Sequence, residues 1–341
     1  MRVSVVVPTY NRLAQLQRVI VGLERQTFPR DRFEVIVVSD GSSDGTEDYL
    51  KALKTPLLVR PILQQHNQGP SAARNHGVAL SIGDIVLFID DDVVPAPELI
   101  EEHVRNHDKH GPEVVVIGPM LAPPDFQMVP WIHWEHAMLN KQYTDMVLGR
   151  WEPTARQFYT GNASLLRSHF QEIGGFDQTL RRAEDVDLAC RLAAKRLRFL
   201  FAPAAIAYHY SERSYLSWSA IPYAYGRHDV TLAHHKGQTC LLATILSEFR
   251  ARHFLTRYLI WLCLDRHWLS KATTNGLRQI AETAHGLKLT GVSSIACSAI
   301  FNLCHYQGMA DELGGRKQFF REQKASLIPP QDSVPRQAFG K

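Results

Sequence analysis

The chain has 341 residues, of which 45% are apolar, 21% charged and 9% aromatic, so its composition is that of an ordinary globular protein with one large or two modest domains. The formal net charge of +4 is too small to indicate nucleic acid binding by itself. Five cysteines without a Cys-x-x-Cys pair predict neither a disulfide framework nor a zinc-thiolate site, which fits a reducing compartment.

Neither a secretion signal nor a membrane-spanning helix is expected from the hydropathy pattern. The segment 1–8 is too short for a signal-peptide core, and Pro8 interrupts it. No window of about 18 residues is free of charge and strong polarity. We therefore expect a cytoplasmic protein, either free or in peripheral contact with the inner face of the membrane.

Short apolar strands alternate with helices through the first third of the chain. Strands are predicted at 3–7, 33–38, 57–63, 85–89 and 114–117, and helices at 12–25, 46–54, 69–81 and 97–107. Asn11 is the expected N-cap of the first helix. This alternation of buried strands and helices predicts an α/β fold with a mostly parallel sheet covered by helices on both faces. Because ligands bind beyond the carboxyl ends of such strands, the loops 8–11, 39–46 and 90–95 should meet at one edge.

The strand 85–89 leads directly into Asp90, Asp91 and Asp92. Three adjacent carboxylates repel one another unless something positive lies beside them. One or two carboxylates together with a substrate's phosphates are the usual ligands of Mg²⁺ or Mn²⁺. We interpret the strand as one that presents a divalent ion to a phosphate-bearing ligand, and a solvated acidic turn is the alternative. The helix that follows Gly69 offers free N–H groups to an anion at the same edge.

Beyond residue 118 the pattern becomes less regular and finally all-helical. Residues 119–157 are expected to be irregular, either as a surface excursion or as a loop that lines a substrate cleft. A strand-like stretch at 157–160, a glycine turn at 173–177, a helix at 184–195 and strands at 198–201 and 205–209 follow, with helical patterns at 215–235, 240–265, 270–286 and 292–312. We expect a domain at 1–212 with halves at about 1–118 and 119–212, a helical region at 213–326 and a disordered tail at 327–341.

Five segments resemble, in order and at sensible spacing, the motifs of family 2 glycosyltransferases, an inverting family with the nucleotide-diphospho-sugar transferase (GT-A) fold. They are 3–12, 37–46, 67–77, the metal motif (DXD) at 88–92, and 174–177 followed by 184–188. The resemblance covers about residues 3–210. It implies metal-dependent transfer of a sugar, with inversion, from a nucleotide-diphosphate sugar to a hydroxyl acceptor in polysaccharide, glycolipid or other glycoconjugate synthesis, with UDP as the favoured nucleotide.

On the donor side, the resemblance implies a base pocket lined by Pro8, Thr9 and Tyr10, with Tyr10 available for stacking. Asp40 would accept a hydrogen bond from a uracil ring nitrogen. This chain departs from the family pattern at Ser39, where many relatives carry a second acid, so the ribose contact is weakened. Arg74 would contact the base or a phosphate, or else pair at the surface with Asp40 or Asp44.

Asp92 is the expected ligand of Mn²⁺ or Mg²⁺, with Asp90 or Asp91 near the ribose or the waters of the metal. His209 matches a position at which many relatives place a histidine that joins the metal or the diphosphate, although a histidine at a strand end is often structural.

Asp185 matches the family's catalytic carboxylate, which removes the proton of the acceptor. Glu184 would raise the pKa of Asp185 by repulsion or bind the acceptor, although both acids also suit the first turn of a helix. Asn162 and Phe158 resemble positions near the donor sugar.

Two other functions are compatible with parts of this pattern. A sugar-phosphate nucleotidyltransferase would show a glycine-rich, basic loop after the first strand, and the segment 8–11 is neither. An inactive sugar-nucleotide-binding module would not need both Asp92 and Asp185. A dehydrogenase is disfavoured because no Gly-x-Gly-x-x-Gly follows the first strand.

The segment 249–262 mixes basic and aromatic residues with leucine and isoleucine. It would suit the surface of an anionic membrane, near a lipid-linked acceptor. An ordinary helical cap or a homodimer contact is favoured, because its aliphatic residues suffice for core packing.

Overall fold

The computed structural model describes residues 2–180, 183–235 and 239–325. In that part of the chain, residues 2–128 and 135–212 form one compact unit, and residues 129–134 and 213–325 form a second. The predicted tail at 327–341 lies outside the described residues.

The first unit contains the strands and the helices that flank them. The strands are β1 (Val3–Thr9), β2 (Phe33–Asp40), β3 (Val59–Gln64), β4 (Ile85–Ile89), β5 (Val93–Pro95), β6 (Val114–Ile117), β7 (Met120–Leu121), β8 (Asn162–Leu166), β9 (Arg198–Phe201) and β10 (Ala207–His209). The helices up to residue 194 are α1 (Leu13–Glu24), α2 (Thr46–Ala52), α3 (Pro70–Ala79), α4 (Leu99–His110), α5 (Pro130–Val147), α6 (Arg167–Glu172) and α7 (Glu184–Ala194).

Among the described residues, seven strands form the main sheet in the order β3-β2-β1-β4-β8-β6-β9. The pairs β1–β2, β2–β3, β1–β4 and β6–β9 are parallel, whereas β8 runs antiparallel to both of its neighbours. The predicted α/β fold with a mostly parallel sheet is therefore confirmed. A small second sheet, β5-β10-β7, was not predicted, although its strand β10 corresponds to the strand expected at 205–209. Strands as short as β5 and β7 leave almost no periodic signal.

Strand β4, which leads into the acidic segment, is buried on both of its faces. Ile85, Leu87 and Ile89 belong to a core shared with α1 and α4, whereas Val86 and Phe88 belong to a second core shared with α6 and α7. Successive side chains of a strand point to opposite faces, so one continuous apolar run serves both cores. This packing fixes the position at which the chain leaves β4 and enters the acidic segment 90–92.

The expectation that residues 119–157 are irregular was wrong over much of this range. Residues 130–147 form α5, and Pro130 is its first residue, the helical position at which proline is tolerated. The prolines predict an irregular segment, and those at 119, 123, 124 and 153 do lie outside the helix, whereas Pro130 begins it. The strand-like stretch at 157–160 was also misplaced, because β8 begins at Asn162.

The second unit is helical. After the start of α5 it contains α8 (Tyr215–His235), α9 (Thr239–Ala251), α10 (Phe254–Cys263), α11 (His267–Gly286), α12 (Thr290–Leu313) and α13 (Arg316–Ala325). The single helical pattern at 240–265 is divided into α9 and α10, with the break at Arg252 and His253. None of the helices in the described ranges combines the length and hydrophobicity needed to cross a bilayer.

Helices α8 and α12 pack closely through two glycines. A Cβ atom added to Gly226 would lie 2.0 Å from the carbonyl oxygen of His305, and one added to Gly308 would lie 2.0 Å from that of Tyr223. Both neighbouring atoms belong to backbone, so no side-chain rotation relieves the clash.

We expect Gly226→Ala to destabilise the second unit by about 1–3 kcal/mol or more and to lower its melting temperature in calorimetry. The exposed helical Gly276 has no neighbour within 4 Å, so Gly276→Ala should preserve or raise that temperature. An unchanged transition in Gly226→Ala would contradict the close packing.

Candidate active site

The predicted meeting of loops at the carboxyl ends of β1 and β2 is confirmed. The backbone N–H of Asn11 donates to the Ser42 hydroxyl over 3.1 Å, and Asn11 Oδ1 accepts from the backbone N–H of Ser43 over 2.7 Å. Asn11 has a φ of 52° and is not the N-cap that we expected. The carboxylate of Asp44 instead accepts from the amide of Leu13, the first residue of α1, over 2.9 Å.

The positive partner that the three acids require is supplied in part by Arg12. Its Nη1 atom donates to Asp91 Oδ1 at 3.0 Å and to Asp92 Oδ2 at 2.8 Å. Burial raises the pKa of Asp91 to about 6, although Arg12 opposes that shift. Sequence reasoning gave Arg12 no role beyond the start of a helix. The demand for a cation beside three carboxylates was the signal that could have identified it.

The two residues predicted to bind metal, Asp92 and His209, lie next to each other. Strand β10 pairs antiparallel with β5 so that His209 is opposite Val93, the residue that follows Asp92. This pairing brings His209 Nε2 within 3.6 Å of Asp92 Oδ1. In the described part of the chain, no three or more His, Cys, Asp or Glu side chains are arranged to hold an ion by themselves. An ion bound here would therefore take its remaining ligands from a substrate or from water.

Arg74 connects the acidic segment to the helix that carries the predicted base. Its side chain is only 6% exposed and donates from Nη2 to Asp90 Oδ1 at 2.6 Å. Its Nη1 atom lies 3.5 Å from Glu184 Oε1, and the guanidinium lies 5.6 Å from the centre of the Phe176 ring. The alternative in which Arg74 pairs with Asp40 or Asp44 at the surface is therefore wrong. Asp90 and Glu184, which are far apart along the chain, share one buried cation.

Asp185 lies in the first turn of α7, next to Glu184. The residue before this helix, Ala183, has a left-handed backbone conformation with φ of 57° and ψ of 20°, which is costly for a residue other than glycine. Burial and the charge of Glu184 raise the pKa of Asp185 to about 7, against the opposing effect of Arg74. A carboxylate with such a pKa can take up a proton at neutral pH.

The predicted base-pocket residues lie at the ends of β1 and β2. Pro8 and Thr9 are buried at the end of β1, whereas the Tyr10 ring, 46% exposed, remains accessible for stacking. Asp40 is buried, and its two carboxylate oxygens accept from the amides of Gln68 and Gly69, each at 2.8 Å. These bonds hold the start of α3 against the end of β2. Each oxygen of a carboxylate can accept more than one hydrogen bond, so this clamp leaves Asp40 capacity for a ligand.

Asn162 lies inside the protein, not on the surface of the site. It is fully buried, and its Nδ2 atom donates to the carbonyl groups of Pro119 and Ala205 at 3.1 and 2.8 Å. Its Oδ1 atom lies 2.8 Å from His103 Nε2. Phe158, assigned to the same region, is also buried in the core. A direct contact between Asn162 and a ligand would require these bonds to break.

Sequence reasoning did not identify the histidine pair behind Asn162. His103 Nδ1 and His107 Nε2 each lie 2.8 Å from the Ser164 hydroxyl. Burial lowers the pKa of His103 to about 4 and that of His107 to about 3, so both rings are neutral at physiological pH. Their spacing of four residues on α4 was the only sequence signal, and it indicates one helix face without naming a partner.

The parallel sheet, the acidic segment after β4 and the carboxylate at the start of α7 together define the GT-A class of nucleotide-sugar transferases. The family model for glycosyl transferase family 2 matches residues 4–174, half of the chain. The chain therefore belongs to this family, and the resemblance proposed from its motifs is confirmed.

Curated relatives carry glycosyltransferase names. The chain is 30% identical over 215 residues to validoxylamine A glucosyltransferase of Streptomyces hygroscopicus subsp. jinggangensis, which covers 56% of this chain and 51% of that protein. It is 29% identical over 242 residues to pre-mycofactocin glycosyltransferase of Mycobacterium tuberculosis, which covers 68% of this chain and 47% of the other. The chain thus spans about half the length of these relatives.

Solved structures share the fold along most of the chain. Staphylococcus aureus TarS residues 1–349 in complex with UDP matches with a TM-score of 0.53 at 18% identity and covers 92% of both chains. The mannosyltransferase PcManGT from Pyrobaculum calidifontis, in complex with GDP-Man and Mn²⁺, matches with a TM-score of 0.58 at 19% identity and covers 90% of this chain and 86% of that one. These similarities confirm the GT-A fold.

Proposed function

We propose that this protein is a metal-dependent, inverting glycosyltransferase that moves a sugar from a nucleotide-diphosphate donor, with UDP favoured, to a hydroxyl acceptor. The observation that carries this proposal is the contact of Arg74 with both Asp90 and Glu184, which joins the acidic segment to the helix that bears Asp185. The acceptor class is a carbohydrate, a lipid-linked molecule or another hydroxyl compound of glycoconjugate synthesis. We assign catalysis to residues 1–212 and treat the helical residues 213–326 as a separate region.

The carboxylate of Asp92 and the imidazole of His209 are suitable ligands for Mn²⁺ or Mg²⁺ at a site where the phosphates of the substrate provide further ligands. Asp92 and His209 supply a carboxylate oxygen and an imidazole nitrogen 3.6 Å apart, a separation suited to adjacent ligands of one ion. Arg12 pairs with the other carboxylate oxygen of Asp92 and offsets part of the negative charge of the acidic segment. A bound ion would offset more of that charge. A bound ion would stabilise the negative charge that develops on the leaving diphosphate.

Other residues of this chain would bind the donor nucleotide and activate the acceptor. Tyr10 would stack on the base, and Asp40 would accept a hydrogen bond from it. Asp185 would take the proton of the acceptor hydroxyl while the oxygen attacks the anomeric carbon from the face opposite the nucleotide. The new carbon–oxygen bond forms as the bond to the diphosphate breaks, and the diphosphate leaves with the electron pair. A single displacement of this kind inverts the anomeric centre.

The base role of Asp185 predicts the acid side of the pH profile. Burial and the neighbouring Glu184 raise the pKa of Asp185 to about 7, so the group is increasingly protonated and unable to accept a proton below that pH. We expect kcat to fall about tenfold for each pH unit below this value. Initial rates measured at saturating substrates between about pH 5 and pH 8 test this. A rate that stays constant down to about pH 5 would exclude Asp185 as the titrating base.

A donor screen tests the function itself. The solved relatives with bound donors or nucleotides include TarS with UDP-GlcNAc and the mannosyltransferase with GDP-Man and Mn²⁺, so both nucleotide classes belong in the screen. We expect UDP to be released from at least one UDP-sugar in the presence of Mn²⁺, slowly with water as the acceptor, and to stop with EDTA. Release from GDP-sugars alone would overturn the choice of nucleotide. Release that is unaffected by EDTA would overturn the metal requirement.

Family membership disfavours the nucleotidyltransferase alternative, which transfers a nucleotidyl group and forms pyrophosphate. An inactive binding module would bind UDP in a calorimetric titration but would release nucleotide from no donor in this screen.

A further inference from the structure

One face of α10 is exposed, although its residues were expected to pack in an ordinary core. The rings of Phe254, Tyr258 and Trp261 are 62%, 60% and 46% exposed. Their spacing of four and then three residues places them on one side of the helix. Ile260 and Cys263 on the other side are fully buried. We call the three exposed rings the aromatic stripe.

The aromatic stripe is held in place by contacts within the second unit. The rings of Tyr258 and Trp261 are stacked with centroids 5.9 Å apart. The guanidinium of Arg316, the first residue of α13, lies 4.7 Å from the centre of the Trp261 ring. The backbone amide of Arg316 donates to the Asp265 carboxylate, which fixes the start of α13 beside α10. The rings are therefore already ordered, so they would lose little side-chain conformational entropy on binding a partner.

The segment that carries the aromatic stripe is basic. Residues 252–271 contain four arginine or lysine residues, Arg252, Arg257, Arg266 and Lys271, and one acid, Asp265. Arg257 is exposed and directly precedes Tyr258, whereas the carboxylate of Asp265 is engaged by α13. Trp268, 74% exposed, adds another accessible ring at the start of α11. A second copy of this chain would bring the same positive charges together, whereas an anionic surface would neutralise them.

We propose that the aromatic stripe binds the surface of an anionic lipid bilayer. The three rings would lie at the level of the headgroups, where one end of a tyrosine or tryptophan side chain is apolar and the other is hydrated. Arg257 and its basic neighbours would attract acidic lipids, with an interaction that weakens as salt rises. Such binding keeps α10 parallel to the membrane and does not require a spanning helix. The proposal is independent of the donor, the metal and the reaction.

Sedimentation with vesicles tests this proposal on the full chain. We expect the protein to pellet with vesicles of equal parts phosphatidylglycerol and phosphatidylcholine, to remain in solution with pure phosphatidylcholine, and to be released by added salt. The double variant Tyr258→Ser, Trp261→Ser should bind the anionic vesicles about tenfold or more weakly. The control Ile295→Ser removes an apolar side chain that is 72% exposed on α12, and it should bind as the wild type does. Ile295→Ser should keep the wild-type melting temperature, because its side chain is largely exposed. The stripe variant loses the stacked pair and the Arg316 contact, so its melting temperature should fall slightly, and its folding at the assay temperature is verified by circular dichroism.

Three results would overturn the proposal. The wild type could fail to pellet with the anionic vesicles, or Ile295→Ser could weaken binding as much as the stripe variant does. The stripe variant could also convert a wild-type dimer into a monomer in analytical ultracentrifugation while vesicle binding stays absent, which would assign the surface to a second copy.

Discussion

Replacing Asp185 with Asn should lower the rate of sugar transfer by about 10²–10⁴-fold and leave nucleotide binding intact. The amide keeps the size of the side chain but cannot take the proton of the acceptor hydroxyl. The contacts of Asp40, Asp92 and Arg12 belong to the strand ends and are not touched by the change. Release of nucleoside diphosphate with a productive donor and acceptor measures the rate, and calorimetric titration with the nucleotide measures binding.

The control for this variant is Asp31→Asn, an exposed carboxylate just before β2, which should retain the wild-type rate. Asp185→Asn should also melt at or above the wild-type temperature, because it removes a buried charge that Glu184 repels. A fully active Asp185→Asn enzyme would remove Asp185 from the mechanism. Loss of nucleotide binding would instead indicate a structural role.

Replacing Arg74 with Gln should lower both the free energy of unfolding and the rate of sugar transfer. The buried guanidinium is shared by Asp90 and Glu184, and its removal leaves both of these partly buried carboxylates without their common cation. Breaking such a pair is strongly destabilising, and because Asp90 is about one third exposed we expect a loss of about 2 kcal/mol or more. Transfer should fall as well, because Glu184 adjoins the proposed base. Differential scanning calorimetry of the full chain and kcat/KM with the best donor measure the two effects.

The matched control is Arg105→Gln, which breaks ion pairs with Glu101 and Glu102 within α4 at an arginine whose side chain is 61% exposed. Exposed pairs of this kind contribute little, so this variant should stay within about 0.5 kcal/mol of the wild type. Arg74→Lys keeps the positive charge but loses the fork that reaches two carboxylates, and it should fall between the wild type and Arg74→Gln. Equal melting temperatures and rates in Arg74→Gln and Arg105→Gln would contradict the proposed role of Arg74.

The main sheet was predictable because its signals are local. The continuous apolar runs of β1 and β4 and the turn residues that follow each strand reveal the elements, and parallel pairing then places their ends at one edge. The small sheet was not predictable, since it pairs β5 with β10, more than a hundred residues later, through only three residues of each strand. The position of His209 beside Asp92 depends on this pairing, and only the motif resemblance suggested it.

The partners of the two site arginines also lie beyond sequence reasoning. The sequence shows that Arg12 and Arg74 belong to motifs of the site, but it does not show which carboxylates they contact. Those contacts depend on how loops and helices that are distant along the chain pack together. Arg74 reaches Glu184 across 110 positions of the chain. The same limit applies to α10, since an amphipathic pattern of leucine, isoleucine and aromatic residues predicts a helix without stating whether both of its faces are covered.

The central claim is that the acidic segment after β4 binds a nucleotide diphosphate together with a divalent ion. Calorimetric titration of the wild-type protein with UDP, in the presence of Mn²⁺ and again after its removal with EDTA, tests this claim most directly. We predict a single site that binds UDP at least about tenfold more tightly with the ion, because the diphosphate would supply ligands to an ion held by Asp92 and His209. Absence of UDP binding, or equal affinity with and without Mn²⁺, would contradict the account.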